Sequence, residues 1–250
     1  MHESAPVAAV EDLIALGREL VTGFDRFNEN RRQLRARSGI SQAKLVGVFG
    51  LTSRVHAIAP TVLDAAAAQR GWAVTPLVRT AFECAVFAAW VEMHGEDGIA
   101  AMVRESDRAS RALMVDTKRS PNIASYQDAI DRLEAKLVRG HQLPGSLSSQ
   151  SRQHVFKDVD PSGELYLMYR LLSVDSHAGT ETIEGHAIEA GKGAATELRL
   201  TKPGPRAAMP LDLHLLVLSL ILSGEALDGL VVSKPRKAEL ARARAQASKD

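Results

Sequence analysis

Two short polar groupings interrupt otherwise apolar stretches of this chain, and both hold side chains suited to a phosphate. Between Ala73 and Val91 the only charged residues are Arg79 and Glu83, four positions apart and therefore on one face of a helix. In the segment from Glu164 to His177, the residues Tyr166, Arg170, Ser173 and His177 fall within about 60° of one another at about 100° per residue, a polar stripe on an apolar helix. A guanidinium grips a phosphoryl oxygen with a fork of N–H donors. An imidazole, which titrates near pH 6.5 when unperturbed, can give or take a proton at neutral pH. If the Arg79 and Glu83 face meets that stripe, two arginines, a carboxylate, a histidine and two hydroxyls surround one pocket. Buried charge is costly unless matched, so Arg79 and Glu83 either satisfy each other or meet polar groups from another helix. A structural ion pair that only fixes helix register is the competing reading of the same residues.

The order of these residues resembles a known family. Arg170, followed after six residues by His177 near the end of a helix, is similar to the Arg-x(4 to 6)-His motif of the HEPN superfamily, the higher eukaryote and prokaryote nucleotide-binding domains. The wider pattern is Arg79-Thr80-Ala81-Phe82-Glu83 and then Tyr169 to Gly179. It looks like a family of uncharacterised bacterial helical proteins with an Arg-x-x-x-Glu helix and a later Ser-x-x-x-His-Gly segment; here Ala178 stands in place of that glycine. In catalytic HEPN proteins the resemblance implies metal-independent RNA cleavage by a homodimer. Arg170 would hold the scissile phosphate, His177 would assist proton transfer as the 2′-hydroxyl attacks, and Ser173 would orient the group. Arg79, Glu83 and Tyr166 would support them. Many members are non-catalytic binding modules, so RNA or a nucleotide is the implied partner and cleavage a further expectation.

Other chemistry finds less support. Asp175, His177, Glu181, Glu184 and His186 cluster closely, yet the chain contains no Glu-x-x-His or Asp-x-x-His of the kind a di-iron bundle uses, and no metal or other cofactor is expected. His56 and His214 read as hydrogen-bonded core histidines, while His2, His141 and His154 read as surface or loop residues. Cys84, beside Glu83 in an apolar run, reads as an inert thiol. There is no Gly-x-Ser-x-Gly elbow and no phosphate-cradling glycine loop of the Gly-x-x-x-x-Gly-Lys type.

The elements that must position these groups are helices. Apolar residues recur at three- and four-residue steps from Val10 to Phe27, running into the basic stretch Arg31 to Arg37, with Ser38-Gly39 as the stop. Ser41 can cap a second helix, which Pro60 should kink or restart. Thr75-Pro76 reads as a cap and first-position proline opening a third helix to His94, with Gly95 beyond its end. Helices over residues 97–118 and 122–139 follow, then long loops at 140–160 and 180–209, the second with a possible hairpin near Glu197 to Thr201. A helix runs from Asp160-Pro161 to the His177 region. Pro210 opens the most apolar helix, to about Val232, hydrophobic nearly all round from Leu213 to Leu222 and so central or in a dimer interface. Residues 233–250 read as a basic tail, helical at most marginally.

Composition bounds the answer. The 250 residues include 31 Lys plus Arg against 30 Asp plus Glu, a net charge of +1 that excludes bulk polycationic binding to nucleic acid. The 37 Ala and 29 Leu, against 11 aromatic residues, favour an all-α fold, a single bundle of seven to eight helices over residues 1–232. One cysteine permits no internal disulfide, and the amino terminus lacks the basic and apolar regions of a signal peptide, so a cytoplasmic location is expected. Residues 73–91 and 211–222 are apolar, but the first carries Arg79 and Glu83 and the second is short, so no membrane span is expected.

Overall fold

The computed structural model describes residues 7–29, 35–120, 123–140, 150–176, 187–190, 197–200 and 208–247. Among them are eight α-helices: α1 (Val7–Glu29), α2 (Gln42–Ala67), α3 (Val74–Lys118), α4 (Gln127–Gly140), α5 (Arg152–Val159), α6 (Glu164–Ser176), α7 (Pro210–Leu230) and α8 (Lys237–Ala247). A two-stranded antiparallel ribbon, β1 (Ala187–Ala190) and β2 (Glu197–Leu200), pairs Ala187 with Leu200. The protein is therefore an all-α helical bundle with one small ribbon.

The most apolar helix is central. Helix α7 packs against α1, α2, α3 and α8, and Leu213, Leu216, Val217 and Leu220 are fully buried against residues such as Val55, Ala59, Val78 and Phe82. Four neighbours within one chain bury most of its circumference and leave Leu211, His214, Leu218 and Leu222 half-buried along one stripe. By length and composition alone, α2, α3 and α7 are apolar enough to cross a membrane; α2 is an addition to the two stretches considered from sequence.

Local signals explain most boundaries. The Ser41 hydroxyl accepts from the Lys44 amide at 3.2 Å and starts α2, which continues through Pro60 to Ala67 as one helix. Thr75 does not cap α3. A 3-10 turn over Gly71–Ala73 leads into Val74, and the Thr75 hydroxyl donates to buried Asp212 at 2.8 Å, tying α3 to α7. Gly95 breaks α3 with φ 63° and ψ −135°, a conformation open to glycine, and the chain restarts at once as a second arm. Of the basic stretch, Arg31 to Leu34 lie outside the described residues. Residues 35–40 are non-helical, Ala36 bridges Val231, and Arg37 donates through Nη1 to the Gly229 carbonyl at 3.0 Å, occupying an acceptor at the end of α7.

Two expectations need correction. The stretch 140–160 is not loop throughout, because α5 forms within it: Ser151 caps it by accepting from the His154 amide at 3.2 Å, and Val155 and Phe156 are buried. Eight residues with two buried apolar side chains are too few for periodicity to speak. The basic tail is helical over Lys237–Ala247, with Leu240 and Ala243 buried. Three of its arginines are paired within the fold. Arg242 pairs with Glu19, and Arg244 with Glu225. Arg236, with a side chain 4% exposed, donates to the Leu20 carbonyl at 2.9 Å and grips Glu239 through Nε and Nη2.

His56 sits at this junction. Its ring stacks on Phe24 with centroids 4.0 Å apart, Nδ1 donates to the Thr52 carbonyl at 3.0 Å, and Nε2 faces Arg236 Nη1 at 3.4 Å. The tautomer that satisfies both contacts is neutral, protonated at Nδ1. Burial, assisted by the nearby guanidinium, holds this imidazole down at about 3 against the opposing Thr52 hydrogen bond. It is the core histidine expected. Asp228, accepting from the Arg236 amide at 3.1 Å, is pushed up to about 6 by burial.

Candidate functional site

Helices α3, α5 and α6 meet along one face of the first arm of α3, with Phe156 of α5 at the centre. Its ring lies edge-on to Phe82 at 5.8 Å, 6.1 Å from Tyr166 and 4.8 Å from Tyr169. The start of α6 is fixed by Asp160, whose carboxylate accepts from the Leu165 amide at 2.9 Å and from the Ser162 hydroxyl at 2.6 Å. These hydrogen bonds hold its carboxyl below the usual range. That cap sets which residues of α6 face α3.

Tyr169, 6% exposed, is the residue α6 presents to Arg79. Arg79 Nη2 donates to its hydroxyl at 3.1 Å, and the guanidinium carbon lies 5.2 Å from its ring centroid. One turn along α3, Glu83 accepts from Arg152 Nε at 2.6 Å. Arg79 and Glu83 thus take the second of the two courses open to them, each matched by another helix. Arg152 is raised further above its ordinary value, first by the Glu83 hydrogen bond, with Tyr169 and Glu105 adding to the attraction. The neighbouring Cys84 thiol is pushed up by burial and by Glu83, against a smaller pull from Arg54, which suits an inert thiol.

The remaining expected residues divide. Tyr166 is half-buried and stacks on Tyr169 at 6.3 Å, so it is part of the packing. Ser173 donates its hydroxyl proton to the Tyr169 carbonyl at 2.7 Å, which leaves its oxygen free only as an acceptor. Arg170 is exposed and makes no hydrogen bond or ion pair with any other described residue. His177 lies outside the described residues, as do Glu181, Glu184 and His186 and the side chain of Asp175. His2 and His141 lie outside them too. Among the described residues, no group of three His, Cys, Asp or Glu side chains could hold a metal ion.

Sequence reasoning missed a second polar knot farther along α3. Asp158 Oδ2 accepts from Trp90 Nε1 at 3.0 Å and lies 3.2 Å from His94 Nε2 and 3.5 Å from His154 Nε2. The spacing of His154 and Asp158, four apart, was a visible signal once a helix at 152–159 is granted. Arg152 was missed for the same reason. Tyr169 was inside the motif but one position away from the polar stripe.

A sequence profile of the DUF5677 family, described as a family of unknown function, matches residues 46–194, more than half of the chain. The match takes in most of α2, all of α3 to α6 and β1, and so every residue of the junction just described. Helices α1, α7 and α8 lie outside it. No curated protein and no solved structure matches the chain.

Proposed function

We propose that this chain, which belongs to the DUF5677 family, is a HEPN-like protein that binds or cleaves RNA through a phosphate site centred on Arg170 and His177, without a metal. Arg170 grips the phosphate, His177 moves the proton, and Ser173 serves as an acceptor beside them. The observation that carries the reading is the contrast between the arginines. Arg79 is turned inward onto Tyr169, with its Nε buried, whereas Arg170, next to Tyr169 in sequence, is exposed and its side chain engages no described residue. An arginine kept for helix register would hold a partner; one kept for a ligand keeps its donors for it.

The test is cleavage of single-stranded RNA in EDTA by wild type, Arg170→Ala and His177→Ala. Wild type is expected to cleave, and each variant to lose at least 100-fold while melting near the wild-type temperature. No cleavage and no RNA binding by wild type overturns the reading.

A second reading, a non-enzymatic helical interaction protein, is favoured by one feature. Leu167, Leu171 and Val174 on α6 are 57%, 47% and 53% exposed, an apolar stripe at helical spacing of the kind that contacts another chain. Under the first reading the same stripe joins two copies in a homodimer, bringing their Arg170 side chains near one interface. The reading places both activities in the cytoplasm.

A further inference from the structure

We infer that Arg152 is a second phosphate-gripping arginine of this site and that Glu83 is its positioning residue. The inference rests on the phosphate-site reading above and deepens it. A guanidinium has five N–H donors, and Arg152 uses its Nε hydrogen on Glu83 Oε1 at 2.6 Å. Neither Nη group makes a hydrogen bond or ion pair with another described residue, and the side chain is 56% exposed. The contact with Glu83 at its root thus leaves its Nη donors over for a ligand. The anchor itself is firm: Glu83 is 24% exposed and sits one turn from Arg79 on α3, with Arg79 locked to Tyr169. Phe156, one turn along α5 from Arg152, packs on Tyr169, and Tyr169 precedes the exposed Arg170 in α6, so both arginines belong to the one α3–α5–α6 junction.

Two solvent-reaching guanidiniums from different helices at one junction suit a ligand with more than one phosphate charge. The ligand class is a polyphosphate or the phosphodiester backbone of RNA, gripped at one oxygen set by Arg170 and at another by Arg152. A planar fork held by a carboxylate is pre-organised, so less side-chain freedom is lost on binding. Lysine could not reproduce it, because an ammonium has no Nε to spend on Glu83 while keeping a fork for the ligand.

The experiment measures binding of labelled single-stranded oligouridine by fluorescence anisotropy and of pyrophosphate by calorimetry, across a salt series. The proteins are wild type, Arg152→Ala, Arg152→Lys, Glu83→Gln and Arg170→Ala. Arg152→Ala is expected to weaken both ligands at least tenfold and to lower the salt slope for RNA by about 0.9, the loss of one phosphate contact. Arg152→Lys is expected to rescue little. Glu83→Gln decides the positioning claim. Removing a negative charge near an anion should tighten binding if Glu83 is only a nearby charge, and weaken it if Glu83 holds Arg152. Weakening of Arg170→Ala alone, with Arg152→Ala like wild type, overturns this inference and leaves the phosphate reading standing. Pyrophosphate binding that depends on Arg152, without RNA binding, upholds the inference and removes RNA as the substrate. Wild type that binds neither ligand overturns both.

Discussion

The guanidinium of Arg79 is engaged twice by Tyr169, once over the face of its ring at 5.2 Å and once through its hydroxyl at 3.1 Å. The two contacts separate by mutation. Tyr169→Phe keeps the ring and strands the Arg79 donor, which should cost about 1 kcal/mol. Tyr169→Ala also removes a buried ring that touches Phe156 and Tyr166 and should cost about 3 to 5 kcal/mol. Urea unfolding of the two variants checks this; equal losses would mean that the ring contributes nothing beyond its hydroxyl.

That pairing shows where sequence stops being informative. The Ser41 cap and the apolar run from Leu213 to Leu222 depend on near neighbours, so they declare their structure within a turn or two. Arg79 and Tyr169 are 90 positions apart, and Glu83 and Arg152 are 69 apart. Which of them meet depends on how α5 and α6 dock on α3, and docking is set by packing that no short window contains. The exposed state of Arg170 is legible only after Tyr169 has been placed, because adjacent residues on a helix point about 100° apart. Thr75 shows the reverse error: a residue type and position that suit a cap are used for a buried hydrogen bond to Asp212 instead.

Two buried groups near the α7–α8 turn should tilt the pH dependence of stability in opposite directions. His56 titrates at about 3 in the fold, below its unfolded value of 6.5, so the stability it carries is full above pH 6.5 and is lost as pH falls toward 3. By pH 4.5 the loss is about 2 to 3 kcal/mol. Asp228 titrates at about 6, above its unfolded value of 3.8, so its protonation adds stability as pH falls from 6 toward 4. Melting temperatures at pH 7.0 and 4.5 should therefore show His56→Gln losing less on acidification than wild type, and Asp228→Asn losing more. A common slope in all three proteins would refute the assignment.

Gly95 breaks α3 at φ 63° and ψ −135°, and no heavy atom lies within 4 Å of where a Cβ would stand. Space is not the constraint; backbone conformation is. Gly95→Ala should cost about 1 to 3 kcal/mol because an L side chain disfavours that region. The check is a denaturation curve together with hydrogen exchange at residues 97–118. A variant as stable as wild type with unchanged exchange would show that alanine adopts the break freely.

The apolar stripe of α6 makes a prediction about assembly that the burial of α7 does not. Helix α7 is largely covered inside one chain, whereas Leu167, Leu171 and Val174 are exposed apolar residues on the helix that carries Arg170. Under the proposed function, wild type is a dimer in sedimentation equilibrium and Leu171→Glu is a monomer. The substitution is at a half-exposed position, so stability of the monomer should change by no more than about 0.5 kcal/mol. Binding supplies the second readout. If two Arg170 side chains act on one RNA, loss of the dimer removes one set of phosphate contacts, and the salt slope should fall in Leu171→Glu although no charge that touches RNA has been removed. A wild-type monomer that binds RNA with the same slope as Leu171→Glu would show that a single chain carries the whole site.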